Sequence, residues 1–200
     1  MTKKDSVDRG GIKYERAGYK EFKPVLIKLR PSKLVKGEVG VFAARNLKRG
    51  VIVGDVDMLE DLFFTWDDYK KIDKDSREVI KDFCITSPDG FYAPQDINYM
   101  PGIYYINHCC DGNVGHDKDG NMVTIKSVEK DKELCYDYGF AGSSDPNFKF
   151  KCKCGSKKCR KIITGTEWED WEYSKKNYKY MTPELRELVK QKFSKNKYDI

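Results

Sequence analysis

The sequence has no apolar run approaching the roughly 18 residues that a membrane-spanning helix needs. Its N-terminus, residues 1–5, is followed by no apolar stretch of the signal-peptide type. These two absences predict an intracellular protein, in the nucleus or the cytoplasm, with no membrane partner. Internal repeats and low-complexity tracts are also lacking.

Charge and hydrophobicity are both moderate. With 39% hydrophobic and 35% charged residues, the 200-residue chain can bury one compact core and keep a soluble exterior. The 38 basic and 32 acidic residues leave a net charge of +6, which would favour an anionic or nucleic-acid partner without requiring one. A solvated basic surface explains the excess equally well. Composition does not indicate the oligomeric state.

Short β-branched and aromatic runs predict a β-rich first half. Strands are expected at residues 25–29, 39–44, 51–53 and 122–128. Thr65 can cap a helix that begins at Trp66 and continues, as one helix or two short ones, to Phe83. Near the C-terminus, Thr182 as N-cap and Pro183 at the first helical position predict a final helix.

Cysteine occurs seven times, an odd number, so a complete disulfide framework is not expected in an intracellular protein. Cys152, Cys154 and Cys159 lie within eight residues, and Gly155 lets the backbone fold back so that three thiolates converge. A closed zinc site has four ligands, and Cys110 is the best-placed fourth. Two other interpretations stay open: unpaired surface thiols, or a zinc-ribbon module that binds nucleic acid through the surrounding lysines.

The remaining cysteines, Cys84, Cys109 and Cys135, lie in apolar or aromatic contexts and are expected to be small buried side chains. A nucleophile made from Cys109 and His108 is disfavoured, because neighbours on an extended chain point to opposite faces. His116 lies in a polar loop containing Gly and Asp and is expected to be exposed to solvent.

Four motifs follow one another along the chain: Gly40-Val41-Phe42-Ala43, residues 105–113 (YINHCCDGN), residues 133–139 (ELCYDYG) and the cysteine triplet. Together they resemble the SET family of protein lysine methyltransferases with its post-SET zinc motif, over residues 24–165. The resemblance implies a mainly β fold with short helices, in which small curved sheets surround a pseudoknot, plus a C-terminal helix. The implied divisions are an N-terminal extension (1–23), a SET domain (24–142) with a helical insert at about 65–84, a zinc-binding segment (143–165) and a C-terminal helical extension (166–200).

The same resemblance implies S-adenosylmethionine as the methyl donor and one structural zinc ion. Tyr138 would be the catalytic tyrosine, and Tyr136 would limit the number of methyl groups so that monomethylation is favoured. The substrate would be a lysine-bearing protein or peptide, histone or another basic protein. The residues implied to contact the cofactor are Glu38, Val39, Gly40, Val41, Tyr105, Asn107 and His108. The implied zinc ligands are Cys110, Cys152, Cys154 and Cys159.

The sequence departs from the family pattern at four positions. Glu38 and Cys109 stand where glycine and serine are usual, and Gly112 and Lys161 stand where proline and glycine are usual. None removes a group that the chemistry needs, although Glu38 puts the shape of the cofactor turn in question, because a residue with a Cβ adopts positive φ at a cost. The aromatic run expected to wall a lysine channel comprises Tyr104, Tyr105, Tyr136, Tyr138 and Phe140. A competing hypothesis is a SET-like module that has lost catalysis and binds a peptide or nucleic acid.

Overall fold

The computed structural model describes residues 6–9, 12–15, 24–55, 61–87, 90–143 and 148–194. The strands are β1 (Ser6–Arg9), β2 (Ile12–Glu15), β3 (Ile27–Pro31), β4 (Val39–Ala43), β5 (Ile52–Gly54), β6 (Asp61–Thr65), β7 (Ile85–Ser87), β8 (Gly90–Pro94), β9 (Asn107–His108), β10 (Val114–His116), β11 (Met122–Thr124), β12 (Glu133–Tyr136), β13 (Phe150–Lys151) and β14 (Ile162–Ile163). The helices are α1 (Trp66–Lys71), α2 (Lys74–Phe83), α3 (Trp171–Asn177) and α4 (Pro183–Ser194). Short 3₁₀ turns cover Ile97–Tyr99, Gly102–Tyr105, Tyr138–Phe140, Glu167–Glu169 and Tyr178–Tyr180. The predicted mainly β class with short helices is confirmed.

The main sheet has seven strands, in the order β3-β4-β12-β10-β11-β5, and β9 also pairs with β12. Strand β12 is antiparallel to β4 and parallel to both β9 and β10. Asn107 and His108 therefore lie opposite Cys135 and Tyr136. This pairing brings the second and third sequence motifs side by side.

The largest core cluster joins this sheet to α4. Val41, Val114 and Leu134 from the sheet are completely buried, and Val189 and Phe193 from α4 belong to the same cluster. Burying a side chain of this size stabilises a fold by about 1.5–3 kcal/mol. The final helix is therefore an integral part of the core.

A smaller sheet, in the order β6-β8-β7, carries the helical insert. Thr65 caps α1 by accepting a hydrogen bond from the Asp68 amide, as predicted, and Asp73 caps α2 by accepting one from the Ser76 amide. The second cap divides the predicted helical stretch into two short helices. Phe91 is completely buried in a separate small core between this sheet and the helices.

Some predicted elements differ from the structure. The strand expected at residues 25–29 is β3, which begins at Ile27. The strand expected to reach Val128 is β11, which ends at Thr124, whose hydroxyl donates to the Lys48 carbonyl oxygen at 2.7 Å. The prediction that His116 is exposed was wrong, since only 6% of its surface is accessible. Its polar neighbours belong to the turn after β10, whereas the pairing of β10 with β11 and β12 buries the residue itself.

The predicted N-terminal extension falls mostly outside the described residues. Within it, β1 and β2 pair as antiparallel strands. None of the helices in the described ranges combines the length and the apolar character that a membrane crossing requires.

Candidate active site and metal centre

The second and third motifs meet at Tyr138. Its backbone amide donates to Nδ1 of His108 across 3.1 Å, and the two rings lie edge to face with centroids 5.2 Å apart. The Tyr138 hydroxyl donates to the Ile106 carbonyl oxygen at 3.0 Å. Tyr138 is therefore fixed at both its backbone and its side chain against the segment that leads into β9.

A cavity of about 150 Å³ opens beside this tyrosine. Its walls are mainly apolar and aromatic and include Ile103, Tyr104, Ile106, Met122, Tyr136, Tyr138, Ala141 and Phe148. Burial raises the pKa of Tyr138 to about 12, so its hydroxyl stays protonated near neutral pH. Three members of the predicted aromatic run, Tyr104, Tyr136 and Tyr138, line the cavity.

One side of the cavity is deeply buried. Tyr136 and His116 lie there, 4% and 6% exposed, and their rings meet edge to face with centroids 5.4 Å apart. Burial raises the pKa of Tyr136 well above its usual value, so this hydroxyl is also neutral. The cavity residue that sequence reasoning missed here is His116, although the alternation of Val114 and His116 along β10 was a signal that both face inward.

The cavity is also lined by Asp61 of β6 and by the end of the helical insert, through Lys81, Asp82, Phe83 and Cys84. The Tyr104 hydroxyl donates to the Asp61 carboxylate. Burial raises the pKa of Asp61 and raises the pKa of the Cys84 thiol to about 12. Cys84 is half-buried, whereas Cys109 and Cys135 are buried as predicted.

The turn before β4 lies next to Asn107, whose side-chain amide donates to the Val39 carbonyl oxygen at 2.8 Å. A Cβ at Gly40 would lie 3.2 Å from the Ser32 Cα and would displace the Glu133 carboxylate, so glycine lets that carboxylate lie directly against the strand. Positive φ in the turn falls on Gly37, at 91°. The departure from the family pattern at Glu38 therefore introduces no backbone strain.

The side chains of two other predicted cofactor contacts are engaged in packing. Val41 is completely buried in the main core, so a contact there would be made by its backbone. The Tyr105 ring packs against Phe83 with centroids 5.2 Å apart. Phe150 instead faces His108 and Tyr138, at centroid distances of 5.4 and 6.0 Å.

His108 uses both ring nitrogens. Nδ1 accepts from the Tyr138 amide, so Nε2 carries the hydrogen in the neutral ring and faces Sγ of Cys110 at 3.3 Å. Burial lowers the pKa of His108 to about 4. Since neither nitrogen is directed at Cys109, the structure gives no support to a Cys109–His108 nucleophile.

Four cysteine sulfurs come together as the spacing predicted. The Sγ atoms of Cys110, Cys152, Cys154 and Cys159 all lie within 4.8 Å of one another, and those of Cys110 and Cys152 are 3.7 Å apart. Tetrahedral zinc with Zn–S bonds of about 2.3 Å requires sulfurs roughly 3.8 Å apart, so the donor set and its spacing fit zinc. Burial raises the pKa of Cys110 to about 11, and a bound cation would displace that proton.

The fourth sulfur belongs to the segment after β9, outside the triplet, so the cluster is not a self-contained zinc ribbon. The neighbouring Lys161 has φ of 68°, a left-handed conformation that explains why glycine is usual at this position. The Cys152 amide donates to the Lys161 carbonyl oxygen at 2.8 Å, and this bond closes the loop around the cluster.

Arg160 connects this cluster to the tyrosines. Its guanidinium donates to both carboxylate oxygens of Asp137, at 2.7 and 2.6 Å, and the Asp137 side chain is only 3% exposed. The Arg160 amide also donates to Sγ of Cys110 at 3.4 Å. From the sequence, Arg160 was given no role in the site, although its place directly after the last cysteine was a usable signal.

The chain resembles known proteins in both sequence and fold. The SET domain model matches residues 38–139, just over half of the chain. The histone-lysine N-methyltransferase trithorax of Drosophila melanogaster is 36% identical over 67 residues, covering 30% of this chain and 2% of that protein. The H3 lysine-9 specific histone-lysine N-methyltransferase KMT1 of Fusarium mangiferae is 34% identical over 104 residues, covering 39% of this chain and 30% of that protein.

Among solved structures, an active polycomb repressive complex 2 in the basal state is similar over 56% of this chain and 15% of that chain, with 23% identity and a TM-score of 0.40. The chain thus spans less than a third of the length of the two curated relatives. The match to the SET domain model covers β4, both strands of the β9–β12 pair and Tyr138. On the strength of that match, the chain belongs to the SET domain family.

Proposed function

We propose that this protein is a protein-lysine N-methyltransferase that uses S-adenosylmethionine. The observation that carries the proposal is the position of Tyr138, which contacts His108 through its backbone amide and lines the aromatic cavity with its ring. One residue thus joins the region proposed to hold the methyl donor to the cavity proposed to hold the lysine.

The region around Asn107 fits S-adenosylmethionine in its chemistry. It combines polar groups, the Val39 carbonyl oxygen and the Glu133 carboxylate, with the aromatic ring of Phe150 beside His108. A ligand with a charged amino-acid end and a flat aromatic base needs both. When bound, S-adenosylmethionine supplies a methyl group on a positively charged sulfur.

The lysine amine must be neutral when it attacks, because its lone pair forms the new N–C bond while the C–S bond breaks. An apolar cavity disfavours the ammonium form and so lowers the amine pKa from about 10.4. The Tyr138 hydroxyl, neutral at working pH, orients the amine without removing its proton. The proton leaves to solvent before the attack, and positioning supplies most of the rate enhancement.

The substrate proposed is a lysine-bearing basic protein, with histone as the first candidate because the relatives are histone-lysine methyltransferases. Asp61 and Asp82 line the cavity together with Lys81, and the two carboxylates would attract a basic substrate before its target amine loses the proton and enters the apolar part of the cavity. A histone substrate would place the reaction in the nucleus. The Tyr136 hydroxyl narrows the buried side of the cavity, which favours monomethyl-lysine as the product.

The proposed division assigns residues 24–142 to the SET domain, 143–165 to a zinc-binding segment and 166–200 to a C-terminal extension. Zinc held by the four cysteines would have a structural role, since all four positions of a tetrahedral ion would be filled by sulfur. Its effect on catalysis would be indirect, through the Arg160–Asp137 ion pair next to Tyr138.

The test is methyl transfer from labelled S-adenosylmethionine to recombinant histones, followed by mass spectrometry of the products. Tyr138→Phe should lower the rate by about 100-fold, because it removes the group that orients the amine. Tyr99→Phe is the matched control: Tyr99 is 80% exposed and lies outside the cavity lining, so the rate should not change.

A Tyr138→Phe variant that transfers methyl groups at the rate of the unaltered protein would refute the assignment of Tyr138. The competing hypothesis, a SET-like module without catalysis, is separated by calorimetry with S-adenosylmethionine. Measurable binding that depends on Asn107 supports the enzyme, whereas absence of binding together with absence of transfer supports the module.

A further inference from the structure

Two buried polar atoms of residues that line the cavity have no hydrogen-bond partner in the described part of the protein. They are Nε2 of His116 and the hydroxyl oxygen of Tyr136. Both residues line the cavity, and their rings are in contact, with centroids 5.4 Å apart and planes at 85°. An unpartnered buried polar group is costly, so two of them at one place indicate a site that receives a polar guest.

The orientation of His116 is set by its other nitrogen. Nδ1 lies 2.9 Å from the Gly120 carbonyl oxygen, and a carbonyl oxygen can only accept, so Nδ1 carries the hydrogen. Nε2 of the neutral ring is then an acceptor. Burial lowers the pKa of His116, and the positive charge of Arg186 acts in the same direction. The carboxylates of Asp117 and Glu184 act against burial but do not outweigh it, so the ring is neutral.

The two atoms complement each other. The Tyr136 hydroxyl can donate or accept, whereas Nε2 of His116 can only accept. A water molecule needs two to four polar partners and much less volume than the cavity provides, so it can donate one hydrogen to His116 and pair with Tyr136. The remaining hydrogen and lone pair of such a water would be available to the amine of a bound lysine.

We propose that His116 is a positioning residue that, together with Tyr136, holds a water molecule at the inner side of the cavity and thereby limits how many methyl groups the target lysine can receive. This inference rests on the proposed lysine methyltransferase function. A lysine that already carries one methyl group has to place that group where the water is held, and displacing a water with two good partners is unfavourable. Loss of the His116 acceptor frees the water and opens the space to the methyl group.

Three substitutions separate this role from a structural one. His116→Gln places an amide near the position of Nε2 but loses the bond to Gly120. His116→Met has a similar length and loses both groups. His116→Asn can still reach the Gly120 carbonyl oxygen but not the position of Nε2. The readout is the ratio of dimethyl- to monomethyl-lysine, measured by mass spectrometry after equal total methyl transfer to the same histone substrate.

We expect His116→Gln to keep the product ratio of the unaltered protein and His116→Met and His116→Asn to raise it about fivefold, the effect of losing one hydrogen bond. If the ratio follows the Gly120 contact instead, so that only His116→Asn behaves as the unaltered protein does, the inference is overturned. Equal ratios in all four proteins overturn it as well. If His116→Asn does not fold, the comparison of His116→Gln with His116→Met still tests the role of Nε2. Both variants lose the contact to Gly120, and they differ in whether a polar group remains near the position of Nε2.

The outcome of this experiment is distinct from the outcome for the function itself. Absence of any methyl-lysine with the unaltered protein refutes the methyltransferase proposal and this inference with it. Transfer by the unaltered protein, with a product ratio insensitive to the acceptor at position 116, refutes only the role of His116.

Discussion

The Tyr136 hydroxyl is a buried polar atom of a residue that lines the cavity next to His116. Among the residues that the structure describes, no atom offers it a hydrogen bond, and leaving such a group unpaired costs about 1–3 kcal/mol. Phenylalanine would fill the same place without that cost. The hydroxyl is therefore expected to act in the proposed reaction site, where a bound water or substrate completes its hydrogen bonding.

Replacing Tyr136 with phenylalanine should consequently change the product and not only the rate. We expect Tyr136→Phe to raise the ratio of dimethyl- to monomethyl-lysine several-fold, since loss of one hydrogen bond is worth about 1 kcal/mol. The measurement is mass spectrometry of one histone peptide at equal total transfer. Exclusive monomethylation by the variant would contradict the role given to this hydroxyl.

The double variant Tyr136→Phe with His116→Met tests whether the two residues act on the same water molecule. Two groups that hold one guest give non-additive effects when both are removed. The double variant should therefore show nearly the same product ratio as either single one.

At the level of single residues, the sequence predicted best where local chemistry decides. The convergence of Cys152, Cys154 and Cys159 follows from their spacing and from Gly155, and Cys110 completes the set. His116 was predicted wrongly because its neighbours, Asp117 to Gly120, are polar and form a turn, whereas the strand pairing that buries it is non-local.

At the level of elements, the Tyr138–Phe140 turn and the loop of the cysteine triplet are tied together by one ion pair. Asp137 precedes the turn and Arg160 follows Cys159, and their two hydrogen bonds are bidentate, the strongest geometry for this pair. Arg160 also lies over the Tyr173 ring of α3, 5.2 Å from its centroid. The Arg160 side chain thus contacts Asp137, just before the Tyr138–Phe140 turn, and Tyr173 of α3, while its backbone amide binds Sγ of Cys110.

Removing this arginine should destabilise the fold far more than removing a surface charge. Arg160→Met leaves the Asp137 carboxylate buried without its partner, a change that costs about 3 kcal/mol or more. Lys190→Met is the matched control, because Lys190 pairs with Glu187 at the surface, where both side chains are more than half exposed. Such a pair contributes less than about 1 kcal/mol.

The measurement is urea unfolding of both variants with zinc present. Similar free energies of unfolding for Arg160→Met and Lys190→Met would show that the ion pair does not couple the two elements. If the coupling holds, Arg160→Met also slows methyl transfer, because the turn that begins at Tyr138 loses its anchor.

Elements whose ends are set locally were predicted well from the sequence. Thr65 caps the start of α1 as expected. The helical stretch after it divides at Asp73, whose side chain caps α2. Strand β6 was missed, because Asp61–Thr65 is a strand only through its pairing with Gly90–Pro94. Since β6 carries Asp61, the contribution of Asp61 to the cavity was missed for the same reason.

At the level of the whole molecule, the cysteine cluster closes a long loop. Cys110 follows β9 in the main sheet, and Cys152 lies 42 positions later in the chain. A cross-link over a loop of this length stabilises a fold by about 4 kcal/mol in the chain-entropy model. A metal ion bound to both ends restricts the unfolded chain in the same manner, provided that it binds the folded state.

The four cysteines should therefore contribute unequally to the free energy of unfolding. Cys154→Ser removes a ligand from within the triplet and leaves the link between Cys110 and Cys152, whereas Cys110→Ser removes the link itself. With saturating zinc, Cys110→Ser should therefore lower the free energy of unfolding by up to about 4 kcal/mol, and Cys154→Ser should lower it less. Metal analysis of the unaltered protein should find one zinc ion per chain.

Treatment of the unaltered protein with a chelator should reproduce the Cys110→Ser effect on unfolding, since both break the same link. Methyl transfer should fall in parallel, because the Tyr138–Phe140 turn is anchored to the cluster through Arg160 and Asp137. It should recover when zinc is added back to the unaltered protein but not when zinc is added to Cys110→Ser. Equal stability of the two cysteine variants would mean that zinc acts only within the triplet. The sheet and the zinc-binding segment would then be held together by packing alone, and the position of Tyr138 would not depend on the metal.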